Sequence, residues 1–259
     1  MKDKERAWTV GIGALAVFSV FLLWYAASSY TKAAMFFPTP QRVFLRFWES
    51  LTVPIGKYTL GMHVAYSLKR VFIGFGLSSL TGIILGVAMG YSKTIDAMVR
   101  PIFNIIRPIP GLAWIPLGIL WFGIGETTKY FIIFMGGFSN IVLNSYDGTS
   151  KADPRLIGAA QLLGANKGQI FLHIILPSAM PYIFAGLQVS LSTSWMAVLA
   201  AEMISSYEGA GWIINMGMNT GDTVLILVGM ISIAIVGFAL ANLMRVLERR
   251  LCAWTVRGN

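Results

Sequence analysis

Apolar residues along this chain gather into long runs, not into the two-residue alternation of a half-buried strand or the narrow stripe of a surface helix. Six predominantly apolar stretches stand out, at residues 7–31, 71–92, 108–125, 130–146, 178–204 and 223–244. A helix that crosses a bilayer needs about 20 such residues, with about 17 as the lower limit. Four stretches clear that length. The third and fourth sit at the limit, and the third holds Pro108, Pro110 and Pro116. These two read as a helix pair closed by a tight turn at Gly125-Glu126 or as partly re-entrant segments, the pair being preferred. The pattern predicts an all-α, polytopic membrane helical bundle of about six transmembrane helices, organised as one transmembrane domain over residues 1–259.

One polar segment breaks this pattern, at residues 151–177 between the fourth and fifth stretches. Asp153-Pro154 is a helix start, and Leu156, Ala160 and Leu163 recur at helical spacing. Gly164 stands where a helix C-terminal glycine tolerates positive φ. Asn166 then caps a second short helix that carries Ile170, Phe171 and Ile174 and ends at Leu176-Pro177. The segment predicts a helix–turn–helix facing water, with Gly158, Ala159 and Ala160 exposed near its start as a close-docking surface. A plain amphipathic connector lying on the bilayer is the alternative.

Finer periodicities appear inside the runs. Gly74, Ser78, Gly82, Gly86 and Gly90 recur every fourth residue, a spacing that lets two helix backbones approach closely in lipid. Gly186, Ser190, Thr193, Ser194, Ala197 and Ala201 share a small, partly polar face. That face reads either as helix packing or as the lining of a pathway through Ser190, Thr193 and Ser194, with Trp195 and Met196 pointing elsewhere. Residues 41–51 alternate Arg42 and Arg46 with Val43, Phe44, Phe47 and Trp48, as a helix in the headgroup region does. In residues 107–129, proline, glycine and aromatics crowd together. Irregular backbone at that depth needs protein or a water-filled cavity around it, and Trp114 and Trp121 also suit an interface anchor.

Composition sharpens the class. Only 12% of the 259 residues are charged and 56% are hydrophobic, against about a quarter charged in soluble domains. The net charge of +9 does not indicate nucleic acid, because Lys and Arg are scattered between apolar runs. Thirteen of the 20 lie in the N-terminal stretch, residues 93–107, residues 151–167 and the C-terminal tail. By the positive-inside rule this side is cytoplasmic, with both termini and the polar segment. Residues 7–31 exceed the core of a signal peptide and read as an uncleaved anchor.

Several chemistries are missing. There is no G-x-x-x-x-G-K-[ST] phosphate loop. His63 and His173 lie far apart with no Cys nearby, and Cys252 stands alone, so no metal site, cofactor or disulfide is expected. No catalytic constellation stands out. Glu202, at the margin of the fifth run, is the one acidic candidate, expected to be solvated or salt-bridged. No Arg or Lys cluster lies inside a span, so no anion trap is legible.

The stretch GAAQLLGANKGQIFLHIILPSAMPYIFAGL resembles the cytoplasmic EAA loop of ABC-importer permeases: Ala159, Ala160, Gly164, Leu176 and Pro177 match its pattern, and Gly158 stands in place of the usual Glu. Further pieces resemble the nitrate, sulfonate and taurine subgroup: Pro38-Thr39-Pro40, SLKRVFIGF, RPIPGLAWIPL, WFGIGE, PYIFAGLQ, SW followed by AAEMI, and LERR. The resemblance runs from about residue 38 to 257. It implies a non-catalytic, type I permease subunit of the cytoplasmic (inner) membrane, paired with a second copy. Gly158, Ala159, Ala160, Gly164, Leu176 and Pro177 would then couple to separate cytoplasmic ATPase subunits. A solute-binding protein would deliver a small polar or anionic solute from outside. A stand-alone ion-coupled carrier or channel is the competing class; it explains the spans but not the docking loop.

Overall fold

The computed structural model describes residues 2–30 and 37–252. Every regular element among them is helical, apart from one isolated bridge between Ile55 and Tyr58. The order is α1 (Lys2–Tyr30), α2 (Pro40–Thr52), α3 (Leu60–Tyr91), α4 (Lys93–Ile106), a 3-10 turn (Gly111–Trp114), α5 (Ile115–Phe122), α6 (Glu126–Ser150), α7 (Pro154–Leu162), α8 (Lys167–Ile170), a π-helical turn (Phe171–Ile175), α9 (Leu176–Ser205), α10 (Ala210–Thr220) and α11 (Thr223–Leu251).

Among the described residues, four helical segments are long and apolar enough to cross a bilayer: Gly11–Ser29, Leu60–Tyr91, Lys167–Ser205 and Thr223–Leu251. Lys93–Ile106 with Gly111–Phe122 makes a fifth only as a pair bent by 85°. Residues 108–125 are therefore not one straight helix. Pro108, Pro110 and Pro116 withhold three backbone donors there, and the chain turns at Pro110 into the 3-10 turn. The fourth apolar stretch is the middle of the longer α6. The second stretch also extends, because α3 starts at Leu60 rather than near residue 71. Its added turns carry Lys69 and Arg70, which a count of uncharged residues takes as a boundary. The α10 helix falls where the hydropathy pattern assigns nothing.

The centre of the bundle is α6, between α3 and α9. The four-residue stripe of α3 faces α6 along its length. A Cβ on Gly74 would lie 2.6 Å from Ile133, one on Gly86 2.4 Å from the Val142 carbonyl, and one on Gly90 2.6 Å from Thr149. The stripe is thus consumed inside the subunit and offers no surface to a second copy. These contacts advance together along both helices, so α3 and α6 run parallel. The α9 small face also meets α6 closely, but antiparallel: a Cβ on Gly186 would lie 2.7 Å from Asn144 and one on Gly136 3.0 Å from Ala197. Val71, Ile133, Leu191, Trp195, Val198 and Leu240 form the main apolar core. The α2 helix packs into the bundle: Val43 is buried and clusters with Ile213, Leu225 and Val228.

Candidate coupling element and buried charge cluster

Two polar regions occupy opposite ends of the bundle. The first is the segment between α6 and α9. Asp153 caps α7 by accepting from the Arg155 N–H at 2.8 Å. The helix closes as a Schellman motif: the Ala165 N–H donates to the Ala160 carbonyl at 2.9 Å and the Gly164 N–H to the Gln161 carbonyl at 3.0 Å. Gly164 has φ +82, with open space around it. Asn166 and Gln169 form a reciprocal capping box, at 2.9 and 2.8 Å. Both caps and the turn between the two helices are made by residues of the element itself, so its shape rests on local contacts.

The predicted residues are divided by the fold. Ala159 is exposed and Gly158 half-buried. Ala160 is half-buried: it packs on a small core of Ala152, Ile170 and Ile175 and also borders an open groove with Gly164, Gln169 and His173. The outward apolar groups are Leu162, 91% exposed, and Leu163, 88% exposed. Leu176 and Pro177 do not end a helix. From Lys167 to Ser205 the chain is helical for 39 residues, and Pro177 lies in the first turn of α9. The π-helical turn just before it widens the backbone where the proline ring would meet the His173 carbonyl, so the axis continues. At the C-terminal end of α6, Lys151 donates to Asp147 at 2.9 Å, which holds its ammonium pKa above the usual lysine range.

The small, partly polar face of α9 carries Ser190, Thr193 and Ser194. Ser190 and Ser194 are fully buried and donate to the Gly137 and Ile133 carbonyls of α6, at 2.6 and 3.2 Å. Here they fasten α9 to α6. Thr193 is half-buried and borders a cavity of about 200 Å³ with Leu112 and Gly136. Trp195 points into the core, whereas Met196 is exposed beside that cavity.

The second region lies where α6 begins and α9 ends. Its hub is Arg70, 1% exposed. Nε and Nη2 grip Glu126 at 2.8 and 2.7 Å. Nη1 donates to Glu202 at 2.8 Å and to the Glu208 carbonyl at 2.9 Å. Nη2 also donates to the Glu208 carboxylate at 2.7 Å. All five guanidinium donors are therefore used. Glu202, fully buried, further accepts from Ser67 at 2.9 Å and from the Gly211 N–H at 3.0 Å. Of the two outcomes foreseen for Glu202, the salt bridge is what forms. Lys129, 4% exposed, donates to Glu126 at 2.7 Å.

Glycine makes this closeness possible. Gly209 has φ +119, and a Cβ there would lie 2.3 Å from the Glu202 carboxylate. The Gly209 N–H donates to Nδ1 of His63 at 3.0 Å, which leaves the proton on Nε2, facing the Ile55 carbonyl at 3.0 Å. His63 stacks on Trp212, with ring centroids 5.0 Å apart. Sequence reasoning missed Arg70, Glu126 and Glu208. The available signal was His63, Ser67 and Arg70 at i, i+4 and i+7, one polar face leading into an apolar run.

Comparison with known proteins follows the same lines. The family profile "Binding-protein-dependent transport system inner membrane component" matches residues 78–252. The taurine transport system permease protein of Escherichia coli K12 is 36% identical over 252 residues, covering 96% of this chain and 91% of that protein. The putative aliphatic sulfonates transport permease protein of Bacillus subtilis 168 is 31% identical, covering 97% and 89%. The fold resembles the inward-facing MetNI methionine ABC transporter, with TM-score 0.62, 20% identity and coverage of 71% of this chain and 92% of that one. These matches set aside the stand-alone carrier or channel. The chain belongs to the family of binding-protein-dependent transport system inner membrane components, the permease subunits of ABC importers.

Proposed function

We propose that the chain forms half of an import pathway for a small anionic or zwitterionic solute, and that an ATPase subunit grips it at α7–α8. ABC-importer permeases work with ATPase and binding-protein partners. The observation that carries the coupling assignment is the pair Leu162 and Leu163, nearly fully exposed on an element whose backbone is otherwise self-satisfied. Exposed leucines on a water-facing tip are unfavourable unless a partner covers them. The chain itself would catalyse nothing; ATP hydrolysis would belong to the separate subunit. Two copies would pair, both termini would face the cytoplasm with α7–α8, and lipid would cover the outer apolar surface. The relatives named for taurine and aliphatic sulfonates support the solute class.

The mechanism we infer uses α9 as a lever. Its unbroken helix from Lys167 to Ser205 measures about 58 Å at 1.5 Å per residue. One end is the coupling element and the other carries Glu202 of the Arg70 hub. A pull on α8 would then reach the hub along one continuous helix, with α7 joined to it across the Gly164 turn. Driving such a two-state element from 1:99 to 99:1 takes about 5.5 kcal/mol of differential binding. The test is co-purification with the ATPase, followed by ATP-dependent taurine or ethanesulfonate uptake into vesicles supplied with the binding protein. Uptake without any ATPase would sink the reading.

A further inference from the structure

Because α3 and α6 run parallel, their C-terminal ends both lie beside the coupling element, where the Tyr91 ring meets Phe171 at 5.1 Å. The α4 helix departs from this end. Between α4 and the last turns of α6 is a cavity of about 240 Å³, and its polar wall is Arg100, Asn104, Arg107, Tyr146 and Asp147. Arg100, Asn104 and Arg107 stand at i, i+4 and i+7, so one face of α4 presents all three. Phe103 and Val142 give the cavity an apolar floor.

The charges do not cancel. Arg100 is paired with Asp96 through Nε and Nη2, and also donates to the Tyr146 hydroxyl. Its Nη1 has no partner among the described residues. Asp147 is spent on Lys151 at 2.9 Å. Arg107 has no acidic partner, and Asn104 no side-chain hydrogen bond, among the described residues. One net positive charge therefore remains, together with a planar guanidinium fork, a second Nη1 and an amide, all bordering one cavity.

We infer that this cavity is an oxyanion site, built for a small group with two or more acceptor oxygens such as a sulfonate or phosphate. A guanidinium fork matches such oxygens in pairs. Two sources share this chemistry. One is an anionic phospholipid headgroup; basic pockets between helices at the cytoplasmic end suit it. The other is the free solute on its way through, and only that arm rests on the import reading.

The test uses the permease–ATPase complex in nanodiscs. In one set, ethanesulfonate is titrated into phosphatidylcholine discs; in the other, phosphatidylglycerol is mixed into the lipid. The readout is the thermal midpoint. At least one probe should raise it in the unaltered protein. Arg107→Gln should weaken the response about tenfold or more, the loss of one charge-assisted pair. Asn104→Ala should weaken it less, and provides the test if Arg107→Gln does not fold. Arg42→Gln on α2 should leave it unchanged. A response to ethanesulfonate identifies the free solute as a source, and a response to phosphatidylglycerol alone identifies the headgroup. No response to either probe, or an unaltered response in both cavity variants, overturns the site. Because binding is read without transport, loss of the import reading would leave this result standing.

Discussion

The two ends of the bundle use polar residues in opposite ways. At the Arg70 end, charges are turned inward until every guanidinium donor has an acceptor and glycine backbone is pressed against a carboxylate. At the α7–α8 end, polar groups satisfy only their own helix termini, and two leucines are left in the open. The first arrangement resists change, since removing Arg70 strands the fully buried Glu202 away from water. The second tolerates change in itself and is sensitive only through what covers it.

Substitutions can break this contrast, and their effects on stability should descend in order. Arg70→Ala should be the most damaging, because it leaves Glu202 buried and unpaired; breaking such a pair costs about 3–5 kcal/mol. The expected result is a large fall in the melting midpoint of the detergent-solubilised protein. Arg70→Lys should recover only part of it, since an ammonium cannot hold Glu126 with two parallel bonds.

Gly209→Ala should come next. It combines positive φ with a Cβ 2.3 Å from the Glu202 carboxylate, and backbone strain alone is on the order of 1–3 kcal/mol. Gly164→Ala sharpens the comparison. It also imposes positive φ, +82, but meets nothing within 4 Å, so the expected cost is about 1–2 kcal/mol. Equal losses in the two glycine variants would mean that the hub is not tightly packed around Gly209.

Leu163→Asp should have the smallest effect on the isolated subunit, within about 0.5 kcal/mol as for an ordinary surface site. Its effect should appear on addition of the ATPase subunit, as loss of co-purification and of ATP-driven uptake. A Leu163→Asp protein that still binds and couples normally would remove this residue from the docking surface.

How much of this was legible beforehand follows from the range of the forces involved. The caps and turn of α7–α8 could be read almost residue by residue, because their determinants are local. Asp153 acts on Arg155, Asn166 on Gln169 and Gly164 on the turn it closes. The four-residue stripe of α3 likewise announced a close helix contact, though not that α6 would fill it. The long apolar runs located the spans, and three prolines marked where one of them would break.

The charge hub was illegible for a matching reason. Arg70 meets Glu126, Glu202 and Glu208 across 56, 132 and 138 residues of chain. A hydropathy reading treats each charge as a penalty against lipid, so it placed Arg70 outside the membrane and shortened α3 by three turns. Only the tertiary structure brings the opposite charges together, and burial is tolerable only once they meet. The sequence by itself determined the cores of the long helices, the break among the three prolines, and the caps and turn of α7–α8, because those determinants are local. The tertiary structure decided which helix each small face meets, whether Ser190 and Ser194 face a cavity or a backbone, and that Arg70 is interior, because those outcomes depend on partners that no local pattern contains.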